Sequence, residues 1–486
     1  MLKIPPTLTL PLQGRGSCRA TPTNNGYIFD MSIFREYDIR GVVGKDLTPK
    51  LAEQIGLAYG TRAIRAGAKS VAVARDGRTS AIEMRDALMR GITACGVDVV
   101  DIGVCPTPLL YFALFTLPVG GGVMVTASHN PPEYNGFKVS IGKASLHGPE
   151  IQALREDIER GKFEKAAQPG GVTQRTIIPD YLEYMKKSFA GIRADRLHAV
   201  VDCGNGMGGL VGPDTLRYLG CRVTAMYVEV DGRFPNHPPD PTVVANLQDL
   251  IKKVRETKAD VGVAYDGDAD RIGVVDEQGE ILWGDKLMVL FAREVLKERP
   301  GATIISEVKA SQTFYDDVAK RGGKPIMWKT GHSLIKAKMK EEGAVLAGEM
   351  SGHMFFADRY FGYDDAIYAS CRLIEILAKA DRPLSSLLAD LPRTVSTPEI
   401  RVDCPDATKF QVVEAAKKEL AREYKTIDID GVRVLFPEGW GLIRASNTQP
   451  ALVLRFEATS DAALKRIREV VEAQVKRHVP LTPAAH

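Results

Sequence analysis

Residues 70–100 run Ser70-Val71-Ala72-Val73-Ala74, then a polar turn, then the segment Ala81–Ala94, then Val97-Asp98-Val99-Val100. The two outer segments are short and apolar, which is typical of buried strands, and the middle segment has the spacing of an amphipathic helix. Strand, helix and strand in this order predict a βαβ unit with parallel strands. The stretch therefore indicates a doubly wound α/β fold.

The same alternation continues on both sides of this stretch. Leu51–Ala58 upstream has a helical pattern, and strand-like starts recur at His198–Asp202 and Ala302–Ser306. Beyond Leu391–Pro398, which we expect to be a linker, the pattern changes. Strand-like segments at 399–402, 433–436 and 451–457 and helix-like segments at 407–423 and 460–477 predict a smaller α+β module.

Bulk composition excludes several classes of protein. The 486 residues are 44% hydrophobic and 26% charged, with a net charge of +3, which is ordinary for a globular protein and gives no bulk attraction for nucleic acid. No apolar run approaches the roughly 18 residues that span a membrane. The seven cysteines are scattered without C-x-x-C spacing, which favours a reduced, cytoplasmic location. Residues 1–30 lack a helical or strand period, and we expect a disordered extension or an upstream start before Met31.

A serine stands where a strand-like segment meets a rigid loop. Gly122-Val123-Met124-Val125 leads into Thr126-Ala127-Ser128-His129-Asn130-Pro131-Pro132, called here the serine loop. Proline lacks an N–H and restricts the residue before it, so this loop cannot continue as a helix. Reactive groups of α/β enzymes commonly lie at such strand ends, although a solvated turn gives the same letters.

Three carboxylates alternate in a second loop. Asp266-Gly267-Asp268-Ala269-Asp270-Arg271, the metal loop, follows the strand-like Val261–Tyr265. Three carboxylates at every second position suit a hard divalent cation such as Mg²⁺, and Arg271 suits a neighbouring anionic group. A calcium EF-hand loop would need glycine at the position of Arg271 and helical flanks, so the sequence argues against one.

A glycine-rich segment suggests a different class of enzyme. Cys203-Gly204-Asn205-Gly206-Met207-Gly208-Gly209 contains a G-x-G-x-x-G pattern, and Glu229 and Asp231 lie at a distance suited to a ribose contact. This glycine loop (Gly204–Gly209) would serve an NAD-dependent oxidoreductase. A tight strand–loop–helix turn produces the same letters, and the oxidoreductase hypothesis leaves Ser128 and the aspartates unexplained.

Two further polar loops carry hydrogen-bonding groups. Gly348–His353, the sugar loop, places a carboxylate, a hydroxyl and an imidazole between glycines, a set that can bind vicinal sugar hydroxyls. Arg444–Thr448, the phosphate loop, groups a guanidinium, hydroxyls and an amide, and a strand containing Arg455 follows it. Such donors bind phosphate without a metal. A packing histidine at His353 and a polar surface turn at Arg444–Thr448 remain alternatives.

Taken together in order, the four loops give the chain a family resemblance. Over roughly residues 33–480 it resembles the α-D-phosphohexomutases, specifically the bacterial phosphomannomutase/phosphoglucomutase type. The resemblance implies three similar doubly wound α/β domains and a C-terminal α+β domain around a central cleft. We expect domains at 31–173, 174–280, 281–391 and 392–486.

The resemblance also implies roles for particular residues. Ser128 would carry a phosphoryl group, bind the metal through it, and lie near Lys138; Asp266, Asp268 and Asp270 would hold one Mg²⁺ per chain. Glu349 and Ser351 would hold sugar hydroxyls. The remaining candidate catalytic and substrate-binding residues are Tyr37, Arg40, His129, Arg271, Lys309, His332, His353, Arg444, Ser446, Asn447, Thr448 and Arg455. The general base stays open between Arg40 and His332.

The implied reaction is phosphoryl transfer between the 1- and 6-positions of mannose or glucose phosphates through a phosphoserine and a hexose 1,6-bisphosphate. Glucose 1,6-bisphosphate would be an activator. Met350 favours this branch over phosphoglucosamine mutases, which typically have glutamine there. A catalytically silent sugar-phosphate-binding protein is a third class. We expect hexose phosphates as partners, no nucleic acid or membrane, and a monomer or weak homodimer.

Overall fold

The computed structural model describes residues 21–22, 28–29, 31–447 and 449–481, which form four large sheets and one two-stranded pair. Most of the predicted extension at residues 1–30 lies outside the described residues. Within it, β1 (Thr21–Pro22) and β2 (Ile28–Phe29) pair antiparallel. In the part of the chain that the structure describes, no helix is both long and apolar enough to cross a bilayer.

The first domain is built on a seven-stranded sheet. Its strands are β3 (Ile39–Val42), β4 (Ser70–Arg75), β5 (Asp98–Val104), β6 (Gly121–Val125), β7 (Tyr134–Ile141), β8 (Ala144–Ser145) and β9 (Val172–Gln174). Its helices are α1 (Pro49–Arg65), α2 (Ala81–Ala94), α3 (Thr107–Thr116) and α4 (Pro149–Arg160). Thr48 caps α1 by accepting a hydrogen bond from the Leu51 amide, with Pro49 at the first helical position. β4 and β5 lie parallel on either side of α2 in sequence, so the predicted βαβ unit is confirmed.

The second and third domains follow the same plan. The second contains α5 (Ile178–Ser188), β10 (His198–Asp202), α6 (Gly212–Tyr218), β11 (Arg222–Met226), α7 (Gln248–Thr257), β12 (Val261–Tyr265), β13 (Ile272–Asp276) and β14 (Ile281–Leu282). The third contains α8 (Gly284–Glu298), β15 (Thr303–Glu307), α9 (Gln312–Lys320), β16 (Lys324–Trp328), α10 (His332–Glu342), β17 (Leu346–Gly348), β18 (Met354–Phe356) and α11 (Ala366–Ala380).

The fourth domain has a different, antiparallel sheet. Its elements are β19 (Val395–Ser396), β20 (Ile400–Asp403), α12 (Lys409–Leu420), β21 (Lys425–Ile427), β22 (Val432–Phe436), β23 (Gly439–Ala445), β24 (Ala451–Ala458) and α13 (Asp461–Lys476). The predicted linker Leu391–Pro398 contains β19, which pairs with β24. The predicted α+β module is therefore confirmed, but part of its linker belongs to its sheet.

One strand order recurs in the first three domains: β5-β4-β6-β7, β11-β10-β12-β13 and β16-β15-β17-β18. Three strands of each set are parallel, and the fourth is antiparallel to its neighbour, so the sheets are mixed rather than wholly parallel. In each domain the turn into this antiparallel strand carries a predicted functional loop. The serine loop joins β6 to β7, the metal loop joins β12 to β13, and residues 349–353 of the sugar loop join β17 to β18. The chemistry is thus concentrated at three equivalent positions.

The hydrophobic cores show how the domains are joined. One core cluster extends from Ala72 in the first domain to Leu387 in the third, whereas the fourth domain has a separate cluster between Val402 and Val475. The third and fourth domains meet through polar contacts as well. Arg433 donates 2.8 Å hydrogen bonds to the carbonyls of Val308 and Ala310, and its guanidinium lies 3.7 Å from the ring centre of Trp440.

Candidate active site

Ser128 has a strained backbone and a buried side chain. Its φ is +51°, a left-handed conformation that non-glycine residues adopt at an energetic cost and that concentrates at functional sites. Its hydroxyl donates a 2.6 Å hydrogen bond to Oδ2 of Asp266. Nδ1 of His129 lies 3.1 Å from the same hydroxyl oxygen. The structure therefore brings the serine loop and the metal loop into direct contact.

The three aspartates of the metal loop are fully buried, and one oxygen of each lies within 4.8 Å of the others. Burial, together with the charges of Asp270 and Asp268, raises the pKa of Asp266 well above its ordinary value. For Asp268 burial acts in the same direction, but the Lys138 ammonium, the Thr107 hydrogen bond and the charge of Arg40 together outweigh it and hold the pKa far below its usual range. The opposite pKa shifts show that the Lys138 ammonium offsets the negative charge of Asp268 but not the combined charge of the three aspartates.

The structure supports a cation at this position. Oδ1 of Asp268 and Oδ1 of Asp270 are buried without a hydrogen-bond partner among the described residues. Buried carboxylate oxygens without partners are costly, and oxygen-only sets of this kind are the ligands that Mg²⁺ prefers. The three carboxylates, with the Ser128 hydroxyl beside Asp266, therefore fit a hard divalent cation.

Lys138 and Thr107 hold the metal loop from the first domain. Lys138 lies on β7, opposite Met124, and its ammonium donates to Oδ2 of Asp268 at 2.7 Å and to Oδ2 of Asp270. Thr107, at the start of α3, donates a 2.6 Å hydrogen bond to the same oxygen of Asp268. Lys138 was expected near the serine from the resemblance, whereas no sequence pattern indicated Thr107.

Arg40 contacts the serine loop, and the charges of Arg40 and Arg271 act on the histidine within it. Arg40, on β3, donates to Oδ1 of Asn130 at 2.7 Å and forms a 2.7 Å ion pair with Asp38. Burial, and then the charges of Arg271 and Arg40, lower the pKa of His129 well below its ordinary value. His129 is therefore a neutral imidazole in a positive environment, which suits a site that receives phosphate.

The sugar loop is joined to the metal loop through His353. Nε of Arg271 donates a 3.0 Å hydrogen bond to Nε2 of His353, so the ring proton of a neutral His353 lies on Nδ1, 3.0 Å from Oδ2 of Asp364. The buried Glu349 carboxylate accepts a 2.7 Å hydrogen bond from the Gly331 amide. Ser351 lies within this loop and is partly exposed.

His332 begins α10 and lies beside the sugar loop. Its ring stacks on that of His353, with centroids 5.6 Å apart. Burial, and then the charge of Lys336, lower the pKa of His332 well below its ordinary value. Its Nδ1 is buried without a hydrogen-bond partner among the described residues. His332 is thus a neutral imidazole that has an unused nitrogen.

The phosphate loop begins with the last two residues of β23 and presents an unused donor. Nε of Arg444 donates a 3.0 Å hydrogen bond to Asp430, while its Nη2 is buried without a partner in the described part of the chain. The Ser446 hydroxyl accepts a 3.1 Å hydrogen bond from the Gln449 amide. Thr448 lies outside the described residues. A buried guanidinium donor of this kind can bind an anionic oxygen.

Lys309 lies between the third and fourth domains, and its ammonium forms a 3.0 Å ion pair with Glu399. Arg455 lies at the same interface. Its guanidinium donates to the carbonyl of Lys309 and forms a 3.1 Å ion pair with Asp285, so both groups that it contacts belong to the third domain. The buried side chain stabilises this domain contact, and its expected role in binding substrate stays a prediction.

The space beside the glycines of the glycine loop is occupied by other protein atoms. A Cβ at Gly206 would lie 2.7 Å from the Gly267 carbonyl, and one at Gly209 would lie 2.0 Å from the Val228 carbonyl. A Cβ at Gly208 would lie 2.5 Å from the Tyr265 ring. These glycines allow the glycine loop to pack against the metal loop, Tyr265 and Val228 within the second domain, which explains the G-x-G-x-x-G pattern without a dinucleotide.

Sequence reasoning missed several residues that organise these loops. Buried Glu307 accepts hydrogen bonds from the amides of Lys309 and Met350 and from the Thr330 hydroxyl. Asp430 accepts hydrogen bonds from Arg444 and from the Thr330 amide, both at 3.0 Å. Neither belongs to a recognisable motif, because all of these partners except Lys309 lie 14 or more positions away in sequence.

Comparison with known proteins agrees with this architecture. Family models of phosphoglucomutase/phosphomannomutase match in chain order: α/β/α domain I at residues 31–165, domain II at 179–279, domain III at 283–395 and the C-terminal domain at 399–474. The chain belongs to the phosphoglucomutase/phosphomannomutase family. The family resemblance and the α/β fold class expected from the four loops are thereby confirmed.

Individual relatives cover nearly the whole chain. A phosphomannomutase/phosphoglucomutase of Pseudomonas aeruginosa is 49% identical over 446 residues, covering 92% of this chain and 96% of the relative. A phosphoglucomutase of Neisseria gonorrhoeae is 45% identical over 448 residues, covering 91% and 96%. The crystal structure of a phosphoglucomutase/phosphomannomutase family protein from Burkholderia thailandensis has a TM-score of 0.87 at 44% identity, covering 93% and 99%.

Proposed function

We propose that this enzyme is an isomerase that reversibly transfers a phosphoryl group between the 1- and 6-positions of mannose and glucose phosphates. Ser128, as a phosphoserine, donates its phosphoryl group to the sugar phosphate, and a hexose 1,6-bisphosphate forms. The bisphosphate reorients, and its other phosphoryl group returns to Ser128. The enzyme is thereby restored in each cycle.

The observation that carries this proposal is the 2.6 Å hydrogen bond from Ser128 to Asp266. It places the hydroxyl against an oxygen-only ligand set, while the sugar and phosphate loops supply polar groups from the third and fourth domains. A hydrolase serine would instead need a general base positioned to activate it. His129 is the adjacent imidazole, and nothing in the proposal requires it to act as that base.

In the proposed transfer, the bond between Ser128 Oγ and phosphorus breaks as a sugar hydroxyl oxygen forms a new bond to phosphorus. Lys138 and Arg271 offset negative charge on the transferring group, because both cations lie on the metal loop or against it. Asp266, Asp268 and Asp270 would hold Mg²⁺, which as a Lewis acid polarises phosphoryl oxygens when bound.

The hydroxyl proton needs an acceptor, and the candidates from the sequence are Arg40 and His332. Arg40 is already engaged by Asp38 and Asn130. His332 is neutral, and its buried Nδ1 faces Oδ2 of Asp364 at 3.7 Å, which leaves Nε2 to take the proton, so we favour His332 as the general base.

Binding of two sugar orientations explains the separate loops. Glu349 and Ser351 would bind hydroxyls in either orientation of the ring. Arg444, Ser446, Asn447 and Thr448 would bind whichever phosphate is not reacting, which requires a site distinct from the metal loop. Tyr37, Lys309 and His353 would line the space between them. Closure of the fourth domain would exclude water that hydrolyses the phosphoserine.

A coupled assay tests the proposal and its substrate choice. Conversion of mannose 1-phosphate and glucose 1-phosphate is followed with Mg²⁺ and a trace of glucose 1,6-bisphosphate, which we propose as activator. Turnover of both supports the assignment. Turnover of glucosamine 1-phosphate alone would replace it with the phosphoglucosamine mutase alternative.

Two finer expectations belong with this proposal. We infer a reduced, cytoplasmic environment, in agreement with six buried, unpaired cysteines in the described part of the chain. We also propose a monomer or a weak homodimer, since each domain contributes to a cleft within a single chain. Sedimentation at working enzyme concentration tests the second point.

A further inference from the structure

A buried arginine outside the predicted motifs binds the serine loop from beneath. Arg78 lies in the turn between β4 and α2, and its side chain is fully buried. Its guanidinium donates hydrogen bonds to four backbone carbonyls, at 2.8 Å to Ser128, 2.5 Å to Asn130, 2.6 Å to Pro131 and 3.1 Å to Tyr134. One side chain thus binds the loop from Ser128 to its junction with β7.

The loop needs such a donor because its own backbone satisfies only some of its carbonyls, the Asn130 and Tyr134 amides bonding those of Ala127 and Pro131. Pro131 and Pro132 have no N–H, so the segment forms neither a helical turn nor a strand ladder. Backbone carbonyls removed from water require partners, and leaving one unsatisfied is costly. A planar guanidinium can serve several acceptors in fixed directions, which an ammonium cannot.

Asp76 and Thr126 complete this arrangement. Asp76 accepts hydrogen bonds from Nε of Arg78 at 3.2 Å and from the Thr126 hydroxyl at 2.8 Å. The Thr126 oxygen in turn accepts a 2.9 Å hydrogen bond from the Ser128 amide. The amide and the carbonyl of Ser128 are therefore both fixed, one through Thr126 and the other through Arg78.

The metal loop packs against the Ser128 carbonyl on the side opposite Arg78. A Cβ at Gly267 would lie 2.3 Å from the Ser128 carbonyl oxygen, so the two backbones are in close contact there. The Ser128 carbonyl is confined between Arg78 and Gly267. A shift of the serine backbone would then either break the Arg78 hydrogen bond or displace the metal loop.

We propose that Asp76, Arg78 and Thr126 act as positioning residues that hold Ser128 in its left-handed conformation and so direct its hydroxyl toward Asp266. All of their contacts to Ser128 are to backbone atoms, so they persist whether or not the hydroxyl carries phosphate. This inference rests on the phosphoserine role proposed for Ser128. It accounts for how a strained residue keeps one orientation through repeated transfers.

The test compares variants that remove the hydrogen bonds of one positioning residue at a time; the Thr126 hydroxyl also lies 3.4 Å from Oδ2 of Asp268. Thr126→Val removes the hydroxyl, and Thr126→Ser restores it. Arg78→Lys keeps the charge but loses the fork of donors. Arg372→Lys is the matched control, because Arg372 is equally buried and pairs with Asp358 in the third domain. For each, kcat, KM, the melting temperature and the phosphorylated fraction of Ser128 after exposure to glucose 1,6-bisphosphate are measured.

We expect Thr126→Val and Arg78→Lys to lower kcat by about 100-fold, because a misplaced reacting group costs about that much, with KM within about threefold. Their phosphorylated fraction should fall, and Thr126→Ser should restore both quantities. Arg372→Lys should change only the melting temperature.

A kcat equal to that of the wild type in both Thr126→Val and Arg78→Lys would overturn the inference. So would a decrease in kcat no larger than that of Arg372→Lys when the variants lose the same amount of stability. Absence of phosphate on Ser128 in the wild-type enzyme would instead refute the proposed function itself. The two failures are therefore distinguishable.

Discussion

The hydroxyl of Tyr37, in the first domain, accepts a 2.5 Å hydrogen bond from Nδ2 of Asn447, in the fourth, and donates one of 2.5 Å to the Thr330 carbonyl, in the third. A single phenol thus connects three domains beside the cleft. Asn447 belongs to the phosphate loop, so we predict that binding of phosphate and closure of the fourth domain are coupled at this contact.

Tyr37→Phe should weaken that coupling. Loss of two hydrogen bonds of about 1 kcal/mol each, about 2 kcal/mol together, predicts a roughly 30-fold increase in KM for glucose 1-phosphate. Since the reacting loops are untouched, kcat should change little. Tyr59→Phe is the control, because the Tyr59 hydroxyl, on α1, donates to the Ser140 carbonyl on β7, so its contact stays within the first domain. Equal KM values for the Tyr37→Phe and wild-type enzymes would contradict the coupling.

Asp268→Asn should abolish metal-dependent activity without unfolding the protein. The substitution keeps the size of the side chain but removes the charge that Lys138 stabilises, and we expect kcat to fall by about 10³-fold, the loss typical of removing one electrostatic contributor. Isothermal titration with Mg²⁺ should show weaker binding, with an unchanged circular dichroism spectrum. Asp276→Asn, at the end of β13, is the control and should bind Mg²⁺ normally. Normal Mg²⁺ binding by Asp268→Asn would exclude the metal loop as the site.

Asp365 should make stability depend on pH. It caps α11, accepts hydrogen bonds from Tyr181 and Tyr360, and burial raises its pKa to about 6 from an ordinary 3.8. Because the pKa of Asp365 is higher in the folded state, its contribution to stability is fully present below the unfolded-state pKa of 3.8. The contribution decreases as the pH rises and is lost once the pH passes the folded-state pKa of about 6. Relative to Asp365→Asn, the wild type should lose about 1–2 kcal/mol between pH 5 and pH 8. A constant difference in melting temperature across this range would show that Asp365 does not titrate there.

Gly206→Ala should destabilise the metal loop. The added Cβ would meet the Gly267 backbone, which cannot move without displacing Ser128. We expect weaker Mg²⁺ binding and a lower melting temperature, whereas Gly171→Ala, whose Cβ would meet only Asp98 Oδ1 at 3.6 Å, should match the wild type.

NAD should not raise the melting temperature of the wild type, Gly206→Ala or Gly171→Ala proteins. Stabilisation of the wild type by NAD would revive the oxidoreductase hypothesis.

Local patterns were enough to locate most of the elements. Ala81–Ala94, His198–Asp202 and Val261–Tyr265 have the bounds expected from the sequence, because apolar periodicity and turn residues act over short distances. β7 was missed as an element, since Tyr134–Ile141 mixes polar and apolar residues on an antiparallel strand. Two of the expected domain boundaries cut through a sheet. The boundary after residue 173 divides β9, which ends at Gln174, and the boundary after residue 280 separates β14 (Ile281–Leu282) from its partner β13.

The residues that hold the site together could not be found in this way. Arg78 is 50 positions from Ser128, and Thr107 is 161 from Asp268. Their roles depend on which strands become neighbours, and a single sequence does not encode that as a motif. The equivalence of the serine, metal and sugar loops is likewise a property of strand order, since no sequence repeat marks it.

The most direct test of the account is the phosphorylation state of Ser128. The purified enzyme is incubated with glucose 1,6-bisphosphate, and the peptide containing Ser128 is analysed by mass spectrometry alongside a Ser128→Ala variant. We predict one phosphate on Ser128 in the wild type, its loss when sugar monophosphate is added in excess, and no mutase activity in the variant. An unphosphorylated Ser128 peptide, or full activity in Ser128→Ala, would contradict the account.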